Sequence, residues 1–448
     1  MSYNESRFWH PMMHQADMKS RTPLRIVRGD GCHVYDDHGQ KFVDAVAGLW
    51  NVNVGHNRAE VKNAVIDQIN QLEYFQIFDG VSNPRAEELS AQLVGMLAQE
   101  DMQRVFYGSN GSDATETALK LARQYWKILG QKDRTKFISL KQGYHGSHFA
   151  SAGVNGNAAF RRNYEPNLAG CFHVENPWPY RNPFTDDPEE LGRMCAMLLE
   201  REIEFQGPDT VAAFIAEPVQ GAGGVIVPPA NYWPLVRAVC DKYGVLLIAD
   251  EIVTGFGRTG NMFGARGWGV KPDIMCFAKG ISSGYIPLSA TALNSRLVQA
   301  FEDNRDFGGA VMHGYTYSGH PVGCAAAIAS LKIVVEEDLP ANAAKQGAYL
   351  LEALQPMVGR YEAIGEIRGK GLMLAIDLVN DRQTREPISP TSGYAYAVAE
   401  ATRRHGVIVR PVGTKIILSP PLVIQRAEID HIVSALDAGF KAVPFTRT

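Results

Sequence analysis

"VLLIADEIVTGFGRTG" (residues 245–260) is a continuous apolar run that ends in two carboxylates, Asp250 and Glu251, and then in a glycine-rich turn. An unbroken apolar stretch, rather than an alternating one, predicts a strand buried on both faces, as in a parallel sheet covered by helices. Gly255, Gly257 and Gly260 match the G-x-G-x-x-G spacing of a dinucleotide fingerprint. Such a site needs its glycines to open a helix whose N-terminus receives the pyrophosphate. Here "NMFGARGWGVKPD" follows, glycine-rich and without an apolar helical period. The glycines read as a tight loop, and a nicotinamide dehydrogenase falls to a minor alternative. The acids before them are more informative, because the carboxyl end of a buried parallel strand is where open α/β sheets bind ligands.

Outward from this stretch, strand-like runs recur as "RVFYG" (104–108), "KFISL" (136–140), "AAFIAEP" (212–218) and "IMCFAKG" (274–280). Helical patterns lie between them. Ala118, Leu121, Ala122 and Tyr125 recur at i, i+3, i+4, i+7, and "YWPLVRAVCDKYG" closes at Gly244, a glycine suited to the left-handed end of a helix. The alternation predicts an α/β fold with a mostly parallel sheet. After about residue 330 the rhythm changes. "IRGKGLMLAIDLV" (367–379), a helix over 392–405 ended by Gly406, "VIVRPV" and "KIILSPP" read as a smaller α/β unit. The proline-rich "ENPWPYRNPFTDDP" (175–188) reads as a surface excursion.

Bulk properties fit this picture. With 448 residues, two domains are the default, and 45% hydrophobic with 21% charged residues is ordinary for a soluble globular protein. The 44 basic and 48 acidic residues give a net charge of −4 without a basic block, which argues against a nucleic-acid partner. Six scattered cysteines contain no C-x-x-C pair, so neither a disulfide framework nor a metal site is expected. No apolar run reaches membrane-spanning length and the N-terminus lacks a signal pattern, which points to a cytoplasmic protein.

Twenty-nine residues after Asp250, the next predicted strand ends in Lys279. Alone, Asp250 reads as a turn cap and Lys279 as a solvated amine. As a pair from neighbouring strand ends they meet the needs of pyridoxal 5'-phosphate: a Schiff-base lysine, and a carboxylate that keeps the pyridine nitrogen protonated so the ring accepts electrons. A phosphate cradle is also present, since Gly111 and Ser112 stand between a strand and an amphipathic helix. Tyr144, in "GYHGS", lies past a strand end and is suited to stacking on a flat ring.

The chain resembles the class III aminotransferases, the omega-aminotransferase group of the fold type I pyridoxal phosphate enzymes. The resemblance runs nearly end to end through "GLWNVNVGHNRAEV", "SNGSDATETALKLAR", "GYHGS", "IAEPVQGAGGVIVPP", "ADEIVTGFGRTG", "FAKGIS" and "HGYTYSGHP". It implies a large cofactor-binding domain over residues 59–330, a small α/β domain over 331–448, and an N-terminal segment, 1–58, packed with the small domain. It further implies Lys279 as the Schiff-base lysine, Asp250 as the pyridine partner, Gly111 and Ser112 at the phosphate, and Tyr144 and Ile252 on opposite ring faces. Thr316 would reach the cofactor phosphate of a neighbouring subunit, in a homodimer or dimer of dimers. Arg410 would bind a substrate carboxylate, and Glu217 matches an acid near that arginine.

The resemblance also bears on substrate. Members that use 2-oxoglutarate resemble E-P-I-Q-G-E-A-G with a gating acid, where this chain has Ala222, and often carry an arginine where it has Ser147. Lacking both, it looks like the branch that moves an amino group from an amine or omega-amino acid to pyruvate. Trp50, Phe78 and Trp9 are candidates to wall the substrate pocket and equally candidates for packing. The competing readings are a decarboxylase or racemase on the same cofactor and a non-enzymatic cofactor-binding protein.

Overall fold

The computed structural model describes residues 7–20, 23–305 and 308–447. Near the N-terminus, β1 (Ile26–Asp30), β2 (His33–Asp36) and β3 (Lys41–Asp44) form an antiparallel meander. The middle of the chain builds a seven-stranded sheet from β4 (Met102–Gly108), β5 (Lys136–Leu140), β6 (Cys171–Val174), β7 (Val211–Ala216), β8 (Leu246–Asp250), β9 (Ile274–Phe277) and β10 (Ser289–Asn294). Its spatial order is β4-β10-β9-β8-β7-β5-β6. Only β10 runs against the rest, antiparallel to both β4 and β9, so β4, β5, β7, β8 and β9 all end at one edge.

The continuous apolar pattern of β8 has the expected cause, for every residue from Leu246 to Asp250 is buried. Alternate residues face opposite layers. Leu246 and Ile248 pack beneath the helix Gly111–Ile128 through Ala118, Leu121 and Ala122. Val245 and Leu247 pack beneath the helices Pro188–Gln206 and Tyr232–Tyr243 through Leu199, Ile203 and Val236. The α/β class predicted from the sequence is thus the class observed. β6 and β10 were not among the predicted strands. β10 reads "SATALN", too small and polar to form an apolar run, and is a strand because it bridges β4 and β9.

The C-terminal part forms β11 (Ile364–Lys370), β12 (Met373–Asp381), β13 (Glu386–Pro387), β14 (Val407–Ile408), β15 (Arg410–Val412) and β16 (Lys415–Leu418). The sheet order is β11-β12-β16-β15, with β13 pairing antiparallel to the end of β12. β14 pairs in parallel with β3, so the N-terminal meander is extended by a strand from the far end of the chain.

The Pro-rich stretch 175–188 corrects an expectation. Residues 183–188 are largely exposed, but the first half is no solvent-side excursion: Trp178 is 2% exposed, Arg181 donates to the fully buried Asp377 of β12 at 3.0 Å, and Arg385 donates to the Tyr180 carbonyl at 2.9 Å. Its aromatic and cationic side chains find their partners on the C-terminal sheet, which sequence spacing alone does not reveal.

Candidate active site

Because β4, β5, β7, β8 and β9 share an edge, the segments that follow them converge. β8 delivers Asp250, β9 delivers Lys279 two residues beyond Phe277, and β7 delivers Glu217. β5 leads to Tyr144 and His145, and β4 to the start of the helix Gly111–Ile128.

Asp250 is 2% exposed. One carboxylate oxygen, Oδ2, accepts from Nδ1 of the wholly buried His145 at 2.7 Å, and Oδ1 accepts from the Ile252 amide at 3.1 Å. An Nδ1–H aimed at a carboxylate fixes the tautomer and holds the acid in one orientation. His145 is itself anchored, its amide donating to Asn155 at 2.6 Å. This histidine was not singled out in the sequence. The signal available was its position beside Tyr144 at a strand end, but only the fold shows that it backs Asp250.

Glu251, the other acid of the opening stretch, plays a different part. Its carboxylate accepts from the amides of Gly264 and Ala265, both at 2.8 Å, and from the Thr254 hydroxyl. Burial pushes it up to about 7, against those hydrogen bonds. It braces the loop after β8 and faces away from the cluster around Asp250. The glycine-rich turn that follows packs against the C-terminal part of the chain. A Cβ on Gly371 would stand 2.4 Å from the Thr259 carbonyl carbon, and the fully buried Arg258 donates to Asn53 at 2.7 Å, to the Leu372 carbonyl at 3.3 Å and to the Pro420 carbonyl. The turn therefore joins parts of the protein and opens no helix for a pyrophosphate.

Lys279 has a left-handed backbone, φ +46°, which costs a non-glycine residue of order 1 kcal/mol or more and marks a position held by its surroundings. Its ammonium makes no ion pair or hydrogen bond among the described residues. Burial draws it below the usual lysine range, the carboxylates of Asp250 and Glu217 oppose this, and the Arg410 guanidinium adds to it. Glu217 is buried, accepts from the Tyr144 amide at 3.1 Å and from the Gly221 amide at 2.7 Å, and is pushed up to about 7 by burial. Tyr144 meets Phe160 edge-on, with ring centroids 4.8 Å apart. Arg410 on β15 is half-buried and has no ion-pair partner among the described residues; burial lowers it and Tyr144 counteracts this.

At the helix start, Asn110 caps by accepting from the Asp113 amide at 3.1 Å, which leaves the Gly111 and Ser112 amides at the open end. A Cβ on Gly111 would lie 2.9 Å from Cδ1 of Ile252, so only glycine lets the helix end approach that side chain. The Ser112 hydroxyl accepts from the Ser147 amide at 3.0 Å and lies 3.4 Å from the Ser147 hydroxyl.

Other candidates fall elsewhere. Trp50 is 5% exposed and packs with Val219, Val225, Met373 and Ile417 in a core that joins the large sheet's loops to the C-terminal sheet. Thr316 and Phe78 share an exposed surface: the Tyr74 hydroxyl donates to the Thr316 carbonyl at 2.6 Å, and Phe78 lies against Gly314. No hydrogen bond or ring contact among the described residues joins either to Lys279 or Asp250. Trp9 is 79% exposed, apart from the cluster.

The model of the family "Aminotransferase class-III" matches residues 14–439. The chain is a class III aminotransferase. This aminotransferase superposes with a TM-score of 0.97 on the crystal structure of an amine transaminase from an uncultivated Pseudomonas species in a PLP-bound form; identity is 56%, over 98% of this chain and 99% of the other. A putrescine–pyruvate aminotransferase from Pseudomonas aeruginosa is 38% identical over 91% of this chain and 88% of its own length. A diaminobutyrate–2-oxoglutarate transaminase from Halomonas elongata is 39% identical, over 97% and 94% respectively. Similar proteins are thus named for two different amino acceptors. No helix among the described residues is long and apolar enough to cross a membrane.

Proposed function

We propose that this aminotransferase binds pyridoxal phosphate at the Lys279–Asp250 cluster and transfers the amino group of a primary amine or omega-amino acid to pyruvate. The observation that carries the reading is the meeting, at one sheet edge, of a half-buried lysine and an acid oriented by a buried histidine, faced by Arg410 of the C-terminal sheet, which has no ion pair among the described residues. The residues fit the cofactor. Asp250 would hold the ring nitrogen, Tyr144 and Ile252 would flank the ring, and Gly111, Ser112 and the helix N-terminus would take the phosphate. When bound, pyridoxal phosphate supplies a carbonyl to take up the amine and a ring to take up the electron pair left by proton removal.

The chain's own groups do the rest. Lys279 Nζ, lowered by burial, has an unprotonated fraction that removes the proton from the donor's amine-bearing carbon and later returns one. His145 would keep Asp250 turned toward the ring nitrogen. Arg410 is free to grip the carboxylate of a keto acid with two parallel bonds. At Ser147 a hydroxyl lies against Ser112, so the distal carboxylate of 2-oxoglutarate finds no cation at that position. A second copy of the chain would supply Thr316 and Phe78 from the exposed surface they share, which makes the homodimer the active unit. A chain with six unpaired cysteines suits a reducing cytoplasm.

The test is a screen of diamines, omega-amino acids and aromatic amines against pyruvate and 2-oxoglutarate. Alanine formation with a kcat/KM for pyruvate at least tenfold above that for 2-oxoglutarate is expected. Equal values for the two acceptors would remove the pyruvate assignment, and a Lys279→Ala variant that still turned over would remove the catalytic one.

A further inference from the structure

The segment after Glu217 is held from the other side by a residue with no assigned part in the reaction. Arg368, on β11, is 8% exposed. Its Nη2 donates to the Gly224 carbonyl at 2.6 Å, and its Nε donates to the Gly224 and Val225 carbonyls at 3.1 and 3.0 Å. The remaining donors go to Asp377 at 3.0 Å and Glu366 at 2.6 Å. The guanidinium therefore spends part of its planar fork on two backbone carbonyls of one turn.

That turn is short and closed. The amides of Gly224 and Val225 both donate back to the Gly221 carbonyl, at 2.9 and 3.2 Å, and the Gly221 amide donates to Glu217. The other oxygen of Glu217 holds the Tyr144 amide. An unbroken set of hydrogen bonds thus runs from Arg368 through residues 221–225 and Glu217 to the backbone of Tyr144. The register of the C-terminal sheet completes a circuit: Arg368 is opposite Ala375, Ala375 opposite Ile417, and Ile417 opposite Arg410. Arg368 and Arg410 are the two ends of one row across four strands, about 14 Å apart.

We propose that Arg368 is a positioning residue that makes the sheet carrying Arg410 move as one body with the turn 221–225 and, through Glu217, with the backbone of Tyr144. The inference rests on the aminotransferase reading for its consequence, since Tyr144 and Glu217 border the reacting lysine. A carboxylate gripped by Arg410 then fixes the ring wall as well as the substrate, through the row and the turn.

The test compares Arg368→Lys with Glu366→Gln. Lysine keeps the charge beside Asp377, but its three donors on one nitrogen cannot replace the five bonds that the guanidinium fork makes to Gly224, Val225, Glu366 and Asp377. Glu366→Gln removes the charge of one of Arg368's partners on the side away from the turn. Hydrogen exchange of the cofactor-free protein, followed in peptides that cover residues 141–147 and 217–226, reads the contact without any turnover. In Arg368→Lys, the Tyr144 and Gly221 amides are expected to exchange at least tenfold faster, while in Glu366→Gln they stay within twofold of the parent. In the loaded enzyme, the single-turnover rate with an amine donor should fall about tenfold in Arg368→Lys. Its lower pH limb should move upward, because Glu217 loses a hydrogen bond that opposes its burial; His145, Asp250, Lys279 and Tyr144 are the titratable groups that face it. Parental exchange at Tyr144 in Arg368→Lys, or equal effects in the two variants, would overturn the proposal. If the parent itself shows no reaction with amines, the functional reading fails, and the exchange result still decides the positioning role.

Discussion

Lys415 offers a prediction of unusual sign. It lies on the same face of β16 as Ile417, with its stem against Gly224 and its ammonium 5.3 Å from the ring centre of Trp178. The same ring carries Arg368 at 4.7 Å and Arg181 at 5.0 Å. Three cations crowd one indole, and the two arginines already share Asp377. Burial lowers Lys415 from the ordinary 10.5 to about 8, Asp377 opposes this, and Arg368 and Arg181 add to it. At about 1.36 kcal/mol per pH unit, the gap amounts to about 3 kcal/mol against folding while the lysine is charged, an upper bound because the residue is partly open to solvent.

Below pH 8 both folded and unfolded chains carry the proton and the penalty is complete. Between pH 8 and 10.5 the unfolded chain binds more protons, so stability rises with pH, and above that range the penalty vanishes. Lys415→Met keeps the stem over Gly224 and removes the charge. It should stabilise the protein at pH 7 by about 1–3 kcal/mol, and by progressively less toward pH 10. Denaturant unfolding of the holoenzyme at pH 7 and 9.5, followed by tryptophan fluorescence, measures both values. A variant less stable than the parent at pH 7, or a difference that does not change with pH, would show that the Asp377 interaction outweighs desolvation and that the reasoning is wrong.

Three further outcomes are expected. Asp250→Asn should keep the fold and bind pyridoxal phosphate while losing activity by several orders of magnitude, because an amide cannot sustain a protonated ring nitrogen; steady-state rates near the parent's would remove Asp250 from the mechanism. Arg410→Ala should lower the pyruvate kcat/KM by roughly one to two decades, equivalent to about 1.5–3 kcal/mol, and leave the half-reaction with an aromatic amine nearly intact. Equal losses in both single-turnover half-reactions would reduce Arg410 to a structural brace. Ser147→Arg should raise kcat/KM for 2-oxoglutarate relative to pyruvate, since a buried carboxylate without a partner costs several kcal/mol. An unchanged ratio would mean that position 147 does not face the acceptor.

The sequence by itself determined what depends on local pattern and chain order. Unbroken apolar runs such as 246–250 can only be buried on both faces, and their alternation with helical segments leaves an α/β sheet as the economical solution. Parallel strands end at one edge, so residues at or just past strand ends, such as Asp250, Lys279 and Tyr144, are candidates on sequence alone. What the tertiary structure decided is which side chains meet across long sequence separations. Asp250 and Glu251 are adjacent in sequence, yet the strand's twofold alternation sends one to His145 and Lys279 and the other to the Gly264–Ala265 amides. Trp178 and Arg181 sit in a proline-rich stretch with no periodicity, yet Trp178 is buried and Arg181 finds its partner in Asp377, about two hundred residues away. β10 has no apolar run and is a strand because two neighbours leave their hydrogen bonds open to it. Sequence pattern reports how a segment meets solvent; it carries no record of the partner that replaces the solvent, and that partner is chosen only when the chain closes on itself.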